Sequence, residues 1–134
     1  MQIAAGISKK KTKILGVSVL TSLNSEQTQK FYFNKDIEGI VSNFANYALN
    51  NKLDGIVCSP KEIKTIKKIS LDKLLIITPG IRPLNYKRTG DDQERTMTPK
   101  EAIHAGANYL VIGRPITQAT NPLEELKSIN LSLE

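Results

Sequence analysis

The sequence predicts an α/β domain built on a parallel sheet, and two features of the chain support that prediction. Four short runs are almost continuously apolar, which is typical of strands buried on both faces of a parallel sheet. Helical patterns alternate with these runs, and such an alternation indicates right-handed crossovers between parallel strands. We expect strands at Ile14–Leu20, Gly55–Cys58, Leu74–Thr78 and Tyr109–Ile112.

The first two helices between these strands are predicted from apolar spacing and from a start signal. Apolar residues recur at intervals of three and four and predict a helix from about Asp36 to Asn50. A second helix should begin at Ser59-Pro60-Lys61-Glu62. There the serine can cap free N–H groups, the proline suits the first turn and the glutamate can complete a capping box.

The last two helices have nearly the same start chemistry. Thr98-Pro99-Lys100-Glu101 opens the third helix, and Gly106 is expected to end it. Asn121-Pro122 opens the fourth. The expected apolar face of this helix consists of Leu123, Leu126, Ile129 and Leu133.

Length and composition indicate one small domain, residues 1–134, with no internal boundary. The net charge is +6, but the lysines are scattered and aromatics make up only 5% of the chain, which argues against nucleic-acid binding. Attraction of a phosphorylated small molecule and simple solubility explain the charge equally well. No apolar run is long enough to span a membrane. The single cysteine, Cys58, fits a reducing cytosol.

Two loops carry candidate anion-binding residues. A polar connection, Pro79–Thr96, follows the third strand without periodicity, and connections of that length are usually lids or binding loops. Within it, Arg82 and Gln93 are candidate anion and amide contacts, although loops contain such residues routinely. Gly113 and Arg114 follow the fourth strand and offer open backbone and a two-pronged charged group. The alternative there is a tight turn with a solvated arginine.

The position of these loops favours a phosphate site. In eight-stranded βα barrels, phosphate is bound by the loops after strands seven and eight. If the third and fourth runs are those strands, Arg82, Gln93, Gly113 and Arg114 converge on one anion. The sequence shows no metal-ligand spacing, no Walker-type loop and no dinucleotide fingerprint. The lone His104 and Cys58 fit a helix residue and a buried thiol better than catalytic groups.

Several motifs, taken in order, resemble the bacterial orotidine 5′-phosphate decarboxylase family. They are Leu20-Thr21-Ser22, Leu53–Pro60, Thr78–Pro83, Asp91–Gln93, Met97-Thr98-Pro99 and Tyr109–Thr117. The resemblance runs from about residue 13 to the C-terminus and implies the C-terminal half of a TIM-type (βα)8 barrel, strands five to eight.

The resemblance also implies an activity and a role for each site residue. The family converts orotidine 5′-phosphate to UMP and CO₂ in pyrimidine biosynthesis, without metal or cofactor. By resemblance, Arg114 and Gln93 would hold the 5′-phosphate with backbone N–H from Gly113. Arg82 would close over the same group, and Thr21 would contact the pyrimidine ring.

The family's catalytic lysine and aspartates are not found in this chain. They lie in a D-x-K-x-x-D motif, and no aspartate here begins one, so we expect no catalytic residue among residues 1–134. A half-barrel exposes unpaired strand edges and should therefore associate. It could form a homodimer, bind a separate N-terminal half or aggregate. The alternatives are an enzyme subunit that needs an N-terminal partner, a non-catalytic nucleotide-binding half-barrel and, least favoured, a nucleic-acid binder.

Overall fold

One parallel sheet organises the chain. The computed structural model describes residues 2–7, 12–33, 36–86 and 95–134. Its strands lie in the order of the sequence, and each pairs in parallel with the next. This arrangement confirms the predicted parallel α/β fold. The strands are β1 (Leu15–Val17), β2 (Gly55–Val57), β3 (Leu75–Thr78) and β4 (Tyr109–Leu110).

Helices precede the first strand, connect the strands and follow the last one. A single 3₁₀ turn, Pro60–Glu62, leads directly into the helix at Ile63–Ser70. The helices are α1 (Gln2–Ile7), α2 (Ser25–Tyr32), α3 (Ile37–Asn50), α4 (Ile63–Ser70), α5 (Pro99–Ala105), α6 (Arg114–Thr117) and α7 (Pro122–Leu131). Of the helices described, none is long and apolar enough to cross a bilayer.

The predicted helix starts are confirmed. Ser59 accepts a hydrogen bond from the backbone of the following turn, and its own N–H donates to the Glu62 carboxylate at 3.1 Å. Thr98 and Glu101 form the same reciprocal box at α5. Hydrogen bonds from the Thr98 hydroxyl and then its backbone N–H lower the pKa of Glu101. Asn121 caps α7 by accepting from Glu124 N–H.

Gly106 ends α5, as predicted, in a left-handed conformation with φ of 110°. We expect Gly106→Ala to lower the free energy of unfolding by about 1–2 kcal/mol, because this backbone conformation brings a Cβ too close to the following carbonyl. Urea denaturation measures the change. Gly6→Ala on α1 is the matched control, since a Cβ there meets nothing within 4 Å. Equal responses at the two glycines would contradict the strain at residue 106.

The two faces of the sheet differ in burial, so the prediction of strands buried on both faces is wrong. Helices cover one face, and its side chains are almost fully buried: Ile56, Cys58, Ile76 and Thr78. On the opposite face, the side chains are 39–56% exposed at Leu15, Val17, Tyr109 and Val111. The reason is that the described helices pack on one side of the sheet only.

The predicted apolar face of α7 is only partly correct. Ile129 is buried, whereas Leu123 and Leu126 are 61% and 41% exposed and Leu133 is half-buried. The spacing of these residues is helical, but the described part of the chain covers only one of them. The first strand is also shorter than the predicted Ile14–Leu20, because pairing with β2 ends at Val17.

Candidate functional site

The candidate site lies where the strands end. Thr21, Arg82 and Gly113 follow the carboxyl ends of β1, β3 and β4. Backbone bonds continue past the last paired residues, with Ser18 N–H donating to Val57 O at 3.0 Å and Val111 N–H to Thr78 O at 2.9 Å. The loops therefore leave the sheet at one edge, which is where parallel α/β folds bind ligands.

Gly113 and Arg114 form the turn that leads from β4 into α6. The Gly113 carbonyl accepts from the N–H groups of Ile116 and Thr117, at 2.9 and 3.0 Å. Gly113 is exposed, and a Cβ built on it meets nothing within 4 Å, so open space lies beside its backbone. Arg114 is half-buried at the first position of α6. This arrangement allows an anion to reach the backbone next to a guanidinium group.

Arg82 lies at the start of the long connection after β3. Its N–H donates to Met97 O at 3.0 Å, and Ile81 pairs with Met97 in a parallel bridge, so the two ends of the connection are joined. The Arg82 guanidinium donates to Ile81 O at 2.9 Å and lies 5.4 Å from the centre of the Tyr86 ring. Its side chain is therefore held close to its own loop.

The convergence of four residues on one anion stays a prediction. The structure brings Arg82, Gly113 and Arg114 to the same edge of the sheet. Gln93 lies outside the described residues. A cleft of about 620 Å³ opens nearby between the loop after β3 and helices α6 and α7, and Tyr86 and Pro115 line it. Of the predicted site residues that the structure describes, namely Thr21, Arg82, Gly113 and Arg114, none lines this cleft.

A buried ion pair beside Thr21 was not predicted from the sequence. The Arg95 guanidinium pairs with the Glu62 carboxylate, and the two side chains are only 11% and 7% exposed. Arg95 also donates to Leu20 O at 2.7 Å and to Val19 O at 3.4 Å. Its own carbonyl accepts from the Ser59 hydroxyl at 3.3 Å. Arg95 thus connects the ends of β1 and β2 with the end of the long connection.

Burial sets the ionisation of the groups around this pair. It lowers the pKa of Arg95, and the nearby Cys58 thiolate would oppose that change. Burial raises the pKa of the Cys58 thiol to about 12, while the Thr78 hydroxyl and Arg95 oppose the rise. The thiol therefore stays protonated at neutral pH. Its position in the core confirms the interpretation of Cys58 as a buried thiol.

The raised pKa of Cys58 makes stability depend on alkaline pH. In the folded chain the thiol has a pKa of about 12, above the ordinary value of 9.0. The contribution of the buried, protonated thiol to the free energy of unfolding is therefore complete below pH 9.0 and is lost as the pH rises toward about 12. We expect this thiol to cost at most about 1.4 kcal/mol per pH unit in that window. Urea denaturation of the wild type and of Cys58→Ala, from about pH 8 to pH 11, measures it. Parallel pH dependences of the two proteins would contradict the expectation.

Metal binding finds no support in the described side chains. Within residues 2–7, 12–33, 36–86 and 95–134, no group of three or more His, Cys, Asp and Glu residues could hold an ion. His104 is exposed on α5, with its Nδ1 atom 2.8 Å from Lys100 O. The structure therefore gives His104 a local contact along its own helix.

Comparison with known proteins relates this geometry to one family. A model of the orotidine 5′-phosphate decarboxylase / HUMPS family matches residues 1–129. An orotidine 5′-phosphate decarboxylase of Actinobacillus succinogenes is 44% identical over 120 residues, which are 90% of this chain and 51% of that protein. One from Vibrio parahaemolyticus is 43% identical over 132 residues, 98% of this chain and 56% of that protein. The chain spans about half the length of the curated relatives it matches.

Solved structures show the same relationship. The crystal structure of orotidine 5′-phosphate decarboxylase from Lactobacillus acidophilus matches with a TM-score of 0.71 at 31% identity, covering 91% of this chain and 49% of that one. The Pyrococcus horikoshii OT3 structure matches with a TM-score of 0.65 at 23% identity, covering 93% and 52%, and supports the fold alone. The four parallel strands and their helices are thus half of a TIM-type barrel, as predicted for its C-terminal half.

Proposed function

Since the chain belongs to the orotidine 5′-phosphate decarboxylase / HUMPS family, we propose that it forms the phosphate-binding half of an enzyme that converts orotidine 5′-phosphate to UMP and CO₂ in the cytoplasm. One observation carries the proposal. Thr21, Arg82 and the pair Gly113-Arg114 follow the carboxyl ends of β1, β3 and β4, three strands of one parallel sheet. In barrels of this type, that edge carries the substrate site.

Each predicted site residue has a proposed role. Arg114 and the backbone of Gly113 bind the 5′-phosphate, since a guanidinium group and an open backbone suit a phosphate oxygen cluster. Arg82 closes over the same group from the long connection, and Gln93 adds an amide contact. Thr21 contacts the pyrimidine ring from the end of β1. No metal or cofactor takes part in the proposed reaction.

Binding of the phosphate contributes to catalysis although it lies away from the reacting bond. The phosphate lies far from the bond that breaks, so its binding energy serves to orient the ring and to close the long connection over the substrate. The joined ends of that connection, where Ile81 pairs with Met97, give it a defined base from which to close. Binding energy from a non-reacting group is then available in the transition state.

The proposed decarboxylation requires residues from an N-terminal half of the barrel. Residues 1–134 carry no D-x-K-x-x-D motif. In the described sheet, β1 and β4 each pair on one side only, and the face that includes Leu15, Val17 and Tyr109 is apolar and exposed. The unpaired sides of β1 and β4 and this exposed face could pack against four further strands, either from an N-terminal half or from a second copy of the chain.

An assay of the separated halves tests the proposal. Decarboxylation of orotidine 5′-phosphate is measured with this chain alone, and then with the N-terminal half of the Actinobacillus succinogenes relative co-expressed. We expect no turnover alone and turnover in the complex. The matched control replaces the lysine of the D-x-K-x-x-D motif in the added half and should abolish turnover. A folded complex without turnover would overturn the proposed reaction and leave the non-catalytic nucleotide-binding alternative, which the missing motif favours.

A further inference from the structure

Arg95 holds three segments of the candidate site together. Its guanidinium group bonds to the carbonyls of Val19 and Leu20 at the end of β1 and to Glu62 after β2. Its own carbonyl accepts from Ser59, which also follows β2. Two residues further on, Met97 pairs with Ile81 at the other end of the long connection. One side chain and its backbone therefore fix how β1, β2 and the connection meet.

The bond to Leu20 bears directly on Thr21. The Leu20 carbonyl belongs to the planar peptide group that joins Leu20 to Thr21, so holding its oxygen fixes the direction of the Thr21 N–H. The Leu20 side chain is 56% exposed and contributes little packing of its own. The Leu20 carbonyl also accepts from Leu23 N–H at 3.1 Å, which holds the local turn together. Arg95 donates to the same oxygen from the far end of the long connection, so its bond fixes where that turn lies relative to the rest of the site.

We propose that Arg95 is a positioning residue that orients the Thr21 loop toward the nucleobase. The inference rests on the proposed nucleotide site and adds a residue that contacts no substrate itself. Arg95 suits the role because a planar guanidinium can pair with a carboxylate and donate to a carbonyl at once. Glu62 is held in turn by the Ser59 N–H, so the acceptor of the pair has a fixed position. Gly113 and Arg114, which follow β4, belong to the phosphate end of the same edge.

Binding of two ligands distinguishes effects at the nucleobase end of the site from effects at its phosphate end. UMP engages both, whereas ribose 5-phosphate carries the phosphate without a base. Calorimetric titration of Arg95→Lys with each ligand is the experiment, since lysine keeps the positive charge beside Glu62 but lacks the planar fork. We expect UMP binding to weaken about tenfold, the equivalent of one hydrogen bond. Ribose 5-phosphate binding should change less than about twofold.

A second pair of variants distinguishes positioning from general loosening of the fold. Thr21→Val removes the hydroxyl and should also weaken UMP binding. Combining it with Arg95→Lys should add little, because Arg95 acts on the nucleobase only through the position of Thr21. Should Arg95→Lys fail to fold, the double variant Glu62→Gln, Arg95→Met replaces it, since it leaves no unpaired buried charge. This double variant should show the same selective loss of UMP binding.

The outcomes separate this inference from the proposed function. Equal loss for UMP and ribose 5-phosphate, unchanged UMP binding, or additive effects of the Thr21 and Arg95 changes would each overturn the positioning role while the nucleotide site stands. A folded wild-type chain that binds neither ligand would overturn the proposed function and this inference with it. The positioning role would be supported if Arg95→Lys weakens UMP binding but not ribose 5-phosphate binding, and if adding Thr21→Val causes little further loss.

Discussion

Replacing Arg95 by methionine is expected to lower the free energy of unfolding by about 3–5 kcal/mol, the cost of breaking a buried ion pair by removing one partner. Glu62 is 7% exposed, so its carboxylate would be left without its partner and with little water. The carbonyl of Leu20 would lose one of its two donors and keep the Leu23 N–H at 3.1 Å. Urea denaturation followed by far-UV circular dichroism measures the change.

A matched control and a rescue make this result specific. Lys68 is exposed on α4, so Lys68→Met should change the free energy of unfolding by less than about 0.5 kcal/mol. Adding Glu62→Gln to Arg95→Met should recover part of the loss, because no buried charge then remains, and the glutamine oxygen can still accept from Ser59 N–H. A change below about 1 kcal/mol for Arg95→Met would mean that the pair is solvated in the folded chain.

Replacing Arg114 by alanine is expected to weaken UMP binding about 10- to 100-fold, because hydrogen bonds to charged groups are worth about 1.5–3 kcal/mol. Calorimetric titration of the wild type and the variant measures the loss. The controls are His104→Ala, on the exposed surface of α5, and Cys58→Ala, in the core. Both should bind UMP within about twofold of the wild type. Equal losses at all three positions would contradict the proposed site.

Features that depend on neighbouring residues were predictable from the sequence. The caps at Ser59 and Thr98 and the helix end at Gly106 use groups within four residues of each other, so the local chemistry decides them. The helix from Ile37 to Asn50 follows from its spacing, with Asp36 as its cap. Alternation of such helices with apolar strands was then enough to predict the parallel sheet.

Features that depend on what covers a surface were not predictable in the same way. An apolar run indicates that its residues favour burial, but it does not specify which helix, strand or second chain covers them. Leu15 and Val17 on β1 and Leu123 on α7 are apolar yet exposed, since nothing in the described chain packs over them. The interpretation of β1 as a strand buried on both faces failed for this reason.

The site was predictable in part, because loops after parallel strands share an edge by topology. Arg82, Gly113 and Arg114 follow the strands as the spacing of the runs indicated. The Arg95–Glu62 pair joins residues 33 positions apart, and no periodicity or local motif marks it. Its one sequence signal was Glu62 in a capping box, which predicted the bond to Ser59 but not the guanidinium partner.

Titration of the wild-type chain with UMP and with uridine tests the central claim most directly, because the two ligands differ only in the phosphate. The claim is that the loops after β3 and β4 assemble a phosphate site around Arg82, Gly113 and Arg114. We expect saturable UMP binding and at least about tenfold weaker binding of uridine, since the charged contacts act on the phosphate. Equal affinity for the two ligands, or no UMP binding by a chain shown to be folded, would contradict the claim.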